Sequence, residues 1–388
     1  MSPTAVIVET ARTPIGRAFK GSLTGVRPDD LGALAVRSLL DKVPQLDGAE
    51  IDDVICGAAS EGGEQAMNLG RLIGALAGLP DTVPGTTVNR FCASSLQAIR
   101  MAYHAIVAGE GDTYVAAGVE CVSRVAGRDF EESDKNGRFV DGSRPDYVND
   151  IYIPMGLTAE NVAEQWGVDR ADMDEYAVRS HERALAAQAS GFFDEEVTPV
   201  PLPDGGELTR DECPRPGTSL ERLAELKPAF KPDGRVTAGN ACPLNDGAAA
   251  VLVMSQARAE ELGLRPRVRI IASAVTGLAP EVMGVGPIEA VRKVLGAAGM
   301  TIRDVDTVEL NEAFASQVLA VCRVLDIDVD RQLNPVGGAI ALGHPFGMTG
   351  ARIMTTLIHG LEDRDQTIGL ETMCIGGGQG MAMLVERV

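Results

Sequence analysis

Four short segments carry residues suited to acyl and proton chemistry. The first ends in Cys92: Thr86-Thr87-Val88 reads as a strand, Asn89-Arg90-Phe91-Cys92 as the turn after it, and a helix begins near Ala93. A thiol at a helix start meets free N–H groups and the positive end of the helix dipole, which lower its pKa and can hold a developing oxyanion. A small buried residue at a crowded turn accounts for the same cysteine without chemistry. The second is His344, set among Gly337, Gly338, Gly343 and Gly347 ahead of another helix. Close backbone would fix its ring, as a general base requires, or merely satisfy a turn histidine. The third is Cys374-Ile375-Gly376-Gly377-Gly378-Gln379-Gly380, where three glycines let backbone N–H groups approach and point at a ligand. No lysine follows to make a nucleotide-phosphate loop. The fourth is Asn311-Glu312-Ala313-Phe314-Ala315, in which Asn311 can hold a water or cap a helix.

The elements around these residues alternate short apolar strands with amphipathic helices, the grammar of an α/β protein. After Cys92, Leu96, Ile99, Tyr103 and Ile106 recur at helical steps, Gly109 and Gly111 stop the helix, and Thr113 to Ala117 forms a buried strand. After His344 a helix carries Ile353, Met354, Leu357, Ile358 and Leu361. Asp365, a strand from Gln366 to Met373 and Cys374 follow. The two runs are compatible with two similar halves. Residues 120–240 differ. They are rich in proline and charge, hold one clear helix from about Arg170 to Ala189, and read as an ordered excursion over a substrate site.

Composition narrows the function classes. With 35 Lys+Arg against 55 Asp+Glu the formal charge is −20, a surface that repels nucleic acid and anionic membranes. No apolar run is long enough to span a bilayer, and the N-terminus runs into the strand-like Ala5-Val6-Ile7-Val8 with no signal peptide ahead of it, so a cytoplasmic protein is expected. The seven cysteines are odd in number and scattered, and neither a disulfide framework nor a zinc site follows from them.

Taken together and in order, the segments resemble the thiolase family. The matching strings are Val88-Asn89-Arg90-Phe91-Cys92-Ala93-Ser94-Ser95, Asn311-Glu312-Ala313-Phe314-Ala315, Gly343-His344-Pro345-Phe346-Gly347 with Thr349-Gly350-Ala351-Arg352, and Cys374 through Gly380. Arg12-Thr13-Pro14-Ile15-Gly16, Thr237-Ala238-Gly239-Asn240 and Asn245-Asp246-Gly247-Ala248 extend the likeness over essentially the whole chain. The resemblance implies an α/β thiolase fold: two similar halves in αβαβα layers with an inserted loop domain. The halves would be residues 1–120 with about 241–265, and residues 266–388. The loop domain would be residues 121–240. It implies reversible, CoA-dependent cleavage of a 3-ketoacyl-CoA to acetyl-CoA and a shortened acyl-CoA through an acyl-cysteine.

By the same resemblance Cys92 is the nucleophile, His344 takes its proton, and Cys374 exchanges a proton with the α-carbon of acetyl-CoA. Asn311 holds a water in one oxyanion hole, and the N–H groups of Cys92 and Gly376 form the other. Arg215 would lie near the nucleotide end of CoA, Cys242 and Phe314 beside its pantetheine arm, and Met155 near the acyl group. CoA would be a co-substrate, with no permanently bound cofactor and no metal. Family members are dimers or tetramers, so a homo-oligomer is expected, and a fatty-acid oxidation complex is a further partner. Where acetoacetyl-CoA-forming thiolases carry His before the methionine, this chain has Pro154. Phe346 and Met348-Thr349 also replace the Ile and Ala-Ser favoured there. These departures favour a degradative 3-ketoacyl-CoA thiolase. The alternatives are the acetoacetyl-CoA-forming enzyme, a non-catalytic acyl-CoA-binding member, and a decarboxylating synthase. The last would need a second histidine where Asn311-Glu312 stands.

Overall fold

The computed structural model describes residues 3–127 and 130–388. Nine strands build its main sheet system: β1 (Ala5–Arg12), β2 (Asp53–Gly57), β3 (Gly85–Val88), β4 (Thr113–Cys121), β5 (Asn245–Ser255), β6 (Val268–Gly277), β7 (Thr307–Leu310), β8 (Ile368–Ile375) and β9 (Gln379–Arg387). A two-residue strand, Gly16–Arg17, adds to β5. The spatial order is β3-β2-β4-β5-β1 in the first half and β7-β8-β9-β6 in the second, joined where β1 meets β6. A parallel bridge from Val308 to Leu333 stands where the second half would have its outer strand. Each half therefore winds the same way. Its second strand runs parallel to its neighbours, and its fourth strand pairs antiparallel with the fifth.

The repeat is visible in side chains too. The Asp52 carboxylate accepts the N–H groups of Asp112 and Thr113 at 2.8 and 2.9 Å, at the entrance to β4. Asp306 does the same for Thr367 and Ile368 at 2.9 and 2.8 Å, at the entrance to β8. The repeating aspartates are thus Asp52 and Asp306, one residue before β2 and β7. Asp365 instead occupies a turn at φ 52°.

Eight helices complete the layers: α1 (Pro28–Asp41), α2 (Leu69–Leu76), α3 (Ser94–Ala108), α4 (Met155–Gln165), α5 (Arg170–Ser190), α6 (Gly286–Ala298), α7 (Ala315–Leu325) and α8 (Thr349–Asp363). Strand periodicity sorts the core. On β1, Ala5 and Ile7 face inward onto α3 and α8 with Leu96, Ile99, Ile353 and Leu357, while Val6 and Val8 face outward onto Leu31, Val36 and Leu39 of α1. On the second half, Leu370 and Leu384 face outward onto Val291 and Val294 of α6 and Val318 of α7. The result is five layers, with α3 and α8 as the central one, buried between two sheets. The helix expected from about Arg170 to Ala189 is α5, and α4 precedes it. Val162 of α4 and Met173 and Tyr176 of α5 belong to the outer core of the second half.

The central layer decides where the chemistry goes. Gly350 sits where α8 crosses α3, and a Cβ there would lie 2.3 Å from the Leu96 backbone nitrogen. Both helices start at the same end of the molecule, so the segments preceding them, Phe91-Cys92-Ala93 and Gly343 to Met348, meet.

Candidate active site

Cys92 lies in the single turn Phe91–Ala93 between β3 and α3. The turn is tight enough to force Phe91 to φ 45°, a left-handed conformation costly for a residue with a Cβ. Side chains hold it there. Asn89 Oδ1 accepts the Phe91 N–H at 2.8 Å, and Ser94 Oγ accepts the Arg90 N–H at 2.9 Å while donating to the Phe91 carbonyl at 2.7 Å. The backbone N–H groups of Cys92 and Gly376 lie near enough to the Cys92 thiol to favour its thiolate. Gly376 begins the turn between β8 and β9, in which Gly377 and Gly378 take φ 73° and 80°.

Burial pushes the Cys92 thiol up to about 11, while the two N–H groups pull the other way and Glu120 adds to the rise. The lowered thiol that a helix N-terminus alone would give is therefore reversed, because desolvation of the thiolate outweighs two donors. Cys374, at the end of β8, is fully buried and pushed well above its ordinary value, first by burial and then by Cys92 and Cys242 nearby. Cys374 lies within the strand Ile368–Ile375, not after it.

His344 is buried, and its surroundings fix its tautomer. The Thr349 hydroxyl has one proton, which it donates to the Pro345 carbonyl at 2.8 Å. Its oxygen, 2.6 Å from His344 Nδ1, therefore accepts the Nδ1 proton, leaving a lone pair on Nε2. Asn311 Nδ2 donates to Nε2 at 3.2 Å. Asn311 Oδ1 is buried with no protein partner. Burial, and then the charge of Arg352, hold His344 down to about 3, so the ring is neutral. The backbone before it is equally constrained. Gly343 takes φ 110°, and a Cβ there would lie 2.7 Å from the Asn245 side chain, whose Oδ1 accepts the His344 N–H at 2.9 Å.

The sulfur opens onto a cleft of about 360 Å³ whose wall includes Phe91, Met155, Gly376 and Phe346. Phe346 packs edge-on against the His344 ring, with centroids 5.0 Å apart, and so links the histidine to the same cleft. Cys242 follows the bridge between Ala241 and Phe314, and its N–H donates to the Ala313 carbonyl at 3.1 Å. Phe314 is buried and meets Phe230 edge-on at 6.4 Å. Cys92, Gly376, Cys374, Cys242 and Met155 thus gather at one place, beside the pair Asn311–His344 and Phe314. Arg215 stands apart from the cleft wall. Its side chain is exposed on the loop near α5, where its N–H donates to His181 Nδ1 at 3.1 Å.

Sequence reasoning passed over the residues that aim the others. Thr349 and Asn245 were visible only as letters within matching strings, and their hydrogen bonds appear only in three dimensions. Glu120, buried at the end of β4, accepts the N–H groups of Ala59 and Gly347 at 2.9 Å each and of Ser60 at 3.2 Å, tying the cleft wall to the histidine segment. Glu312 is likewise buried. It accepts from Tyr176 and Ser180 at 2.7 Å each and from the Ile340 N–H at 3.1 Å, and so holds the segment ahead of His344. An Asp or Glu at a buried strand end was the available signal.

Two family models match almost the whole chain: the thiolase N-terminal domain over residues 5–257 and the thiolase C-terminal domain over residues 264–387. The chain belongs to the thiolase family. It is an acyltransferase of that family, acting on CoA thioesters. Among its relatives, a β-ketoadipyl-CoA thiolase of Acinetobacter baylyi is 46% identical over 401 residues, with 99% of each chain covered. A 3-ketoacyl-CoA thiolase of Bacillus subtilis is 46% identical, covering 98% of this chain and 99% of the relative. The crystal structure of the Bacillus anthracis acetyl-CoA acetyltransferase superposes with a TM-score of 0.92 at 39% identity, over 100% of this chain and 99% of that one. Human mitochondrial 3-ketoacyl-CoA thiolase gives a TM-score of 0.90 at 36% identity with the same coverage. No helix among the described residues is long and apolar enough to cross a membrane.

Proposed function

We propose that this chain cleaves 3-ketoacyl-CoA with free CoA in a degradative direction, through an acyl group carried on Cys92. The observation that carries the reading is Cys92 beside Gly376 on the wall of an apolar cleft, with a tautomerically fixed His344 linked to the same cleft through Phe346. The Asn311 Nδ2–H bond to His344 Nε2 gives way, and Nε2 takes the Cys92 proton as the sulfur attacks the 3-keto carbonyl carbon. The bond between C2 and C3 breaks, and the electron pair passes to the acetyl-CoA enolate. Cys374 protonates that enolate at C2 and is left as a thiolate. The shortened acyl group remains on Cys92 as a thioester, its oxygen held by the N–H groups of Cys92 and Gly376. Free CoA then gives its proton to Cys374 and attacks the thioester, and His344 returns its proton to the departing Cys92 sulfur. Two half-reactions at one site give ping-pong kinetics.

Asn311 supports the enolate step, because its buried, unpartnered Oδ1 can hold a water beside His344. Arg215, exposed and cationic, is assigned to the nucleotide end of CoA, and Phe314, Cys242 and Met155 to the pantetheine and acyl path. The degradative direction is favoured by Pro154, Phe346 and Met348-Thr349. The same reading treats the protein as a cytoplasmic homo-oligomer built from two halves and a loop domain over residues 121–240. A light-scattering mass near the 40.7 kDa of one chain would overturn the oligomer. The test of the function is CoA-dependent loss of the 3-ketoacyl-CoA enolate absorbance. Wild type is expected to be active and Cys92→Ala inactive. Equal activity in the two would remove Cys92 from the chemistry.

A further inference from the structure

We propose that the acyl subsite of this chain accepts an uncharged, apolar acyl group and rejects one that ends in a carboxylate. The proposal rests on the thiolytic reading above and names the substrate class of the same site. The space beside the Cys92 sulfur is walled by Phe91, Ile151, Tyr152, Ile153, Met155 and Phe346. Phe91 and Met155 close on Gly376, and Ile151 closes on Gly377. Because Cys92, Gly376 and Gly377 share this wall, an acyl chain leaving the sulfur on this side passes between these apolar groups.

Among the described residues of the wall none carries a charge. Lys135 packs over the Tyr152 ring at 5.8 Å, but it is paired with Glu132 at 2.7 Å. Behind the wall at Ala59 and Ser60 lies the Glu120 carboxyl, of the wrong sign to receive an anion. A carboxylate entering this cleft would lose its hydration and gain no cation among the described residues of its wall, whereas a methyl at the same position gains apolar contact. The Tyr152 hydroxyl accepts from the Asn136 N–H, a polar contact at the wall's edge that offers an anion no full charge.

The experiment compares kcat/KM of the full chain for acetoacetyl-CoA, 3-oxohexanoyl-CoA and 3-oxoadipyl-CoA, each with free CoA. The last two have acyl chains of equal carbon number and differ in a terminal methyl against a carboxylate. The methyl-ended substrate is expected to win by at least about 100-fold. A ratio within about 10-fold, or a preference for the diacid, with acetoacetyl-CoA still cleaved, overturns this proposal alone. Inactivity on all three overturns the thiolytic reading and this proposal with it. Ile151→Arg is expected to narrow the ratio by about 10-fold or more by raising turnover of the diacid. An unchanged ratio in a folded variant overturns the cleft as the acyl subsite. Ile153→Lys makes the same test if Ile151→Arg does not accumulate as folded protein.

Discussion

The Cys92 thiol and the His344 imidazole sit at opposite extremes of their ranges, one pushed up to about 11 and the other held down to about 3. Both are therefore neutral at rest, and in the proposed mechanism the proton moves only as the sulfur attacks. Two consequences follow for pH. Alkylation of Cys92 by iodoacetamide, followed by mass spectrometry, should accelerate by about tenfold per pH unit up to at least about pH 10. A plateau near the ordinary thiol value of about 8.5 would show the N–H donors outweighing burial. For His344 the sign is opposite, since a base with a lowered pKa stays competent as pH falls. The acid limb of kcat/KM should therefore show no inflection at the ordinary imidazole value of about 6.5. Circular dichroism at each pH separates loss of chemistry from loss of fold. The tautomer adds a third expectation. Thr349→Val removes the acceptor of the Nδ1 proton and should lower kcat by about 100-fold with little change in KM for CoA. Loss confined to KM would deny the hydroxyl its orienting role.

At the scale of elements, the site depends on two helices crossing so closely that Gly350 has no room for a side chain. Gly350→Ala sets a methyl against the Leu96 backbone and must part α3 from α8. The expected loss of stability is about 3 kcal/mol in urea unfolding, with a fall in activity, because the same helices carry Cys92 and His344 at their starts. A variant of native stability would show that α8 can slide without harm. Much of this level was legible in the sequence. Leu96, Ile99 and Ile106 announced α3 by their spacing, and the apolar run after Thr349 announced α8, because a helix packed on one layer repeats with its own period. What the spacing did not carry was contact between distant segments. No spacing in the sequence links Glu309 to Glu371, yet the parallel register of β7 and β8 sets them side by side, buried and close to Arg352. Within 121–240 the spacing announced α5 but not what its stripe packs against. Proline and charge are dense there, yet α4 and α5 bury Val162, Met173 and Tyr176 against the second half, which only the assembled fold requires.

At the scale of the whole molecule, a chain of formal charge −20 must bring in a polyanionic co-substrate. The field of the protein repels CoA at long range, and on the proposed assignment Arg215, exposed on its loop, attracts at short range once the nucleotide arrives. The two terms screen differently. At about 0.01 M salt the Debye length is about 30 Å, and the repulsion of the whole surface reaches the incoming ligand; at about 0.15 M it is about 8 Å, and only near groups are felt. Raising the salt over this range should therefore increase kcat/KM for CoA, opposite in sign to the usual salt loss of an anion held in a basic site. Arg215→Ala should raise KM severalfold for free CoA and for the 3-ketoacyl-CoA donor alike at either salt concentration, since both half-reactions seat a CoA nucleotide at one site. Should kcat/KM instead fall with salt in the wild type and lose that dependence in Arg215→Ala, local attraction would dominate the global field. Stopped-flow measurement of the second half-reaction, starting from the acylated enzyme, distinguishes the two, because there free CoA is the one anion entering and its rate is read without that of the acyl donor.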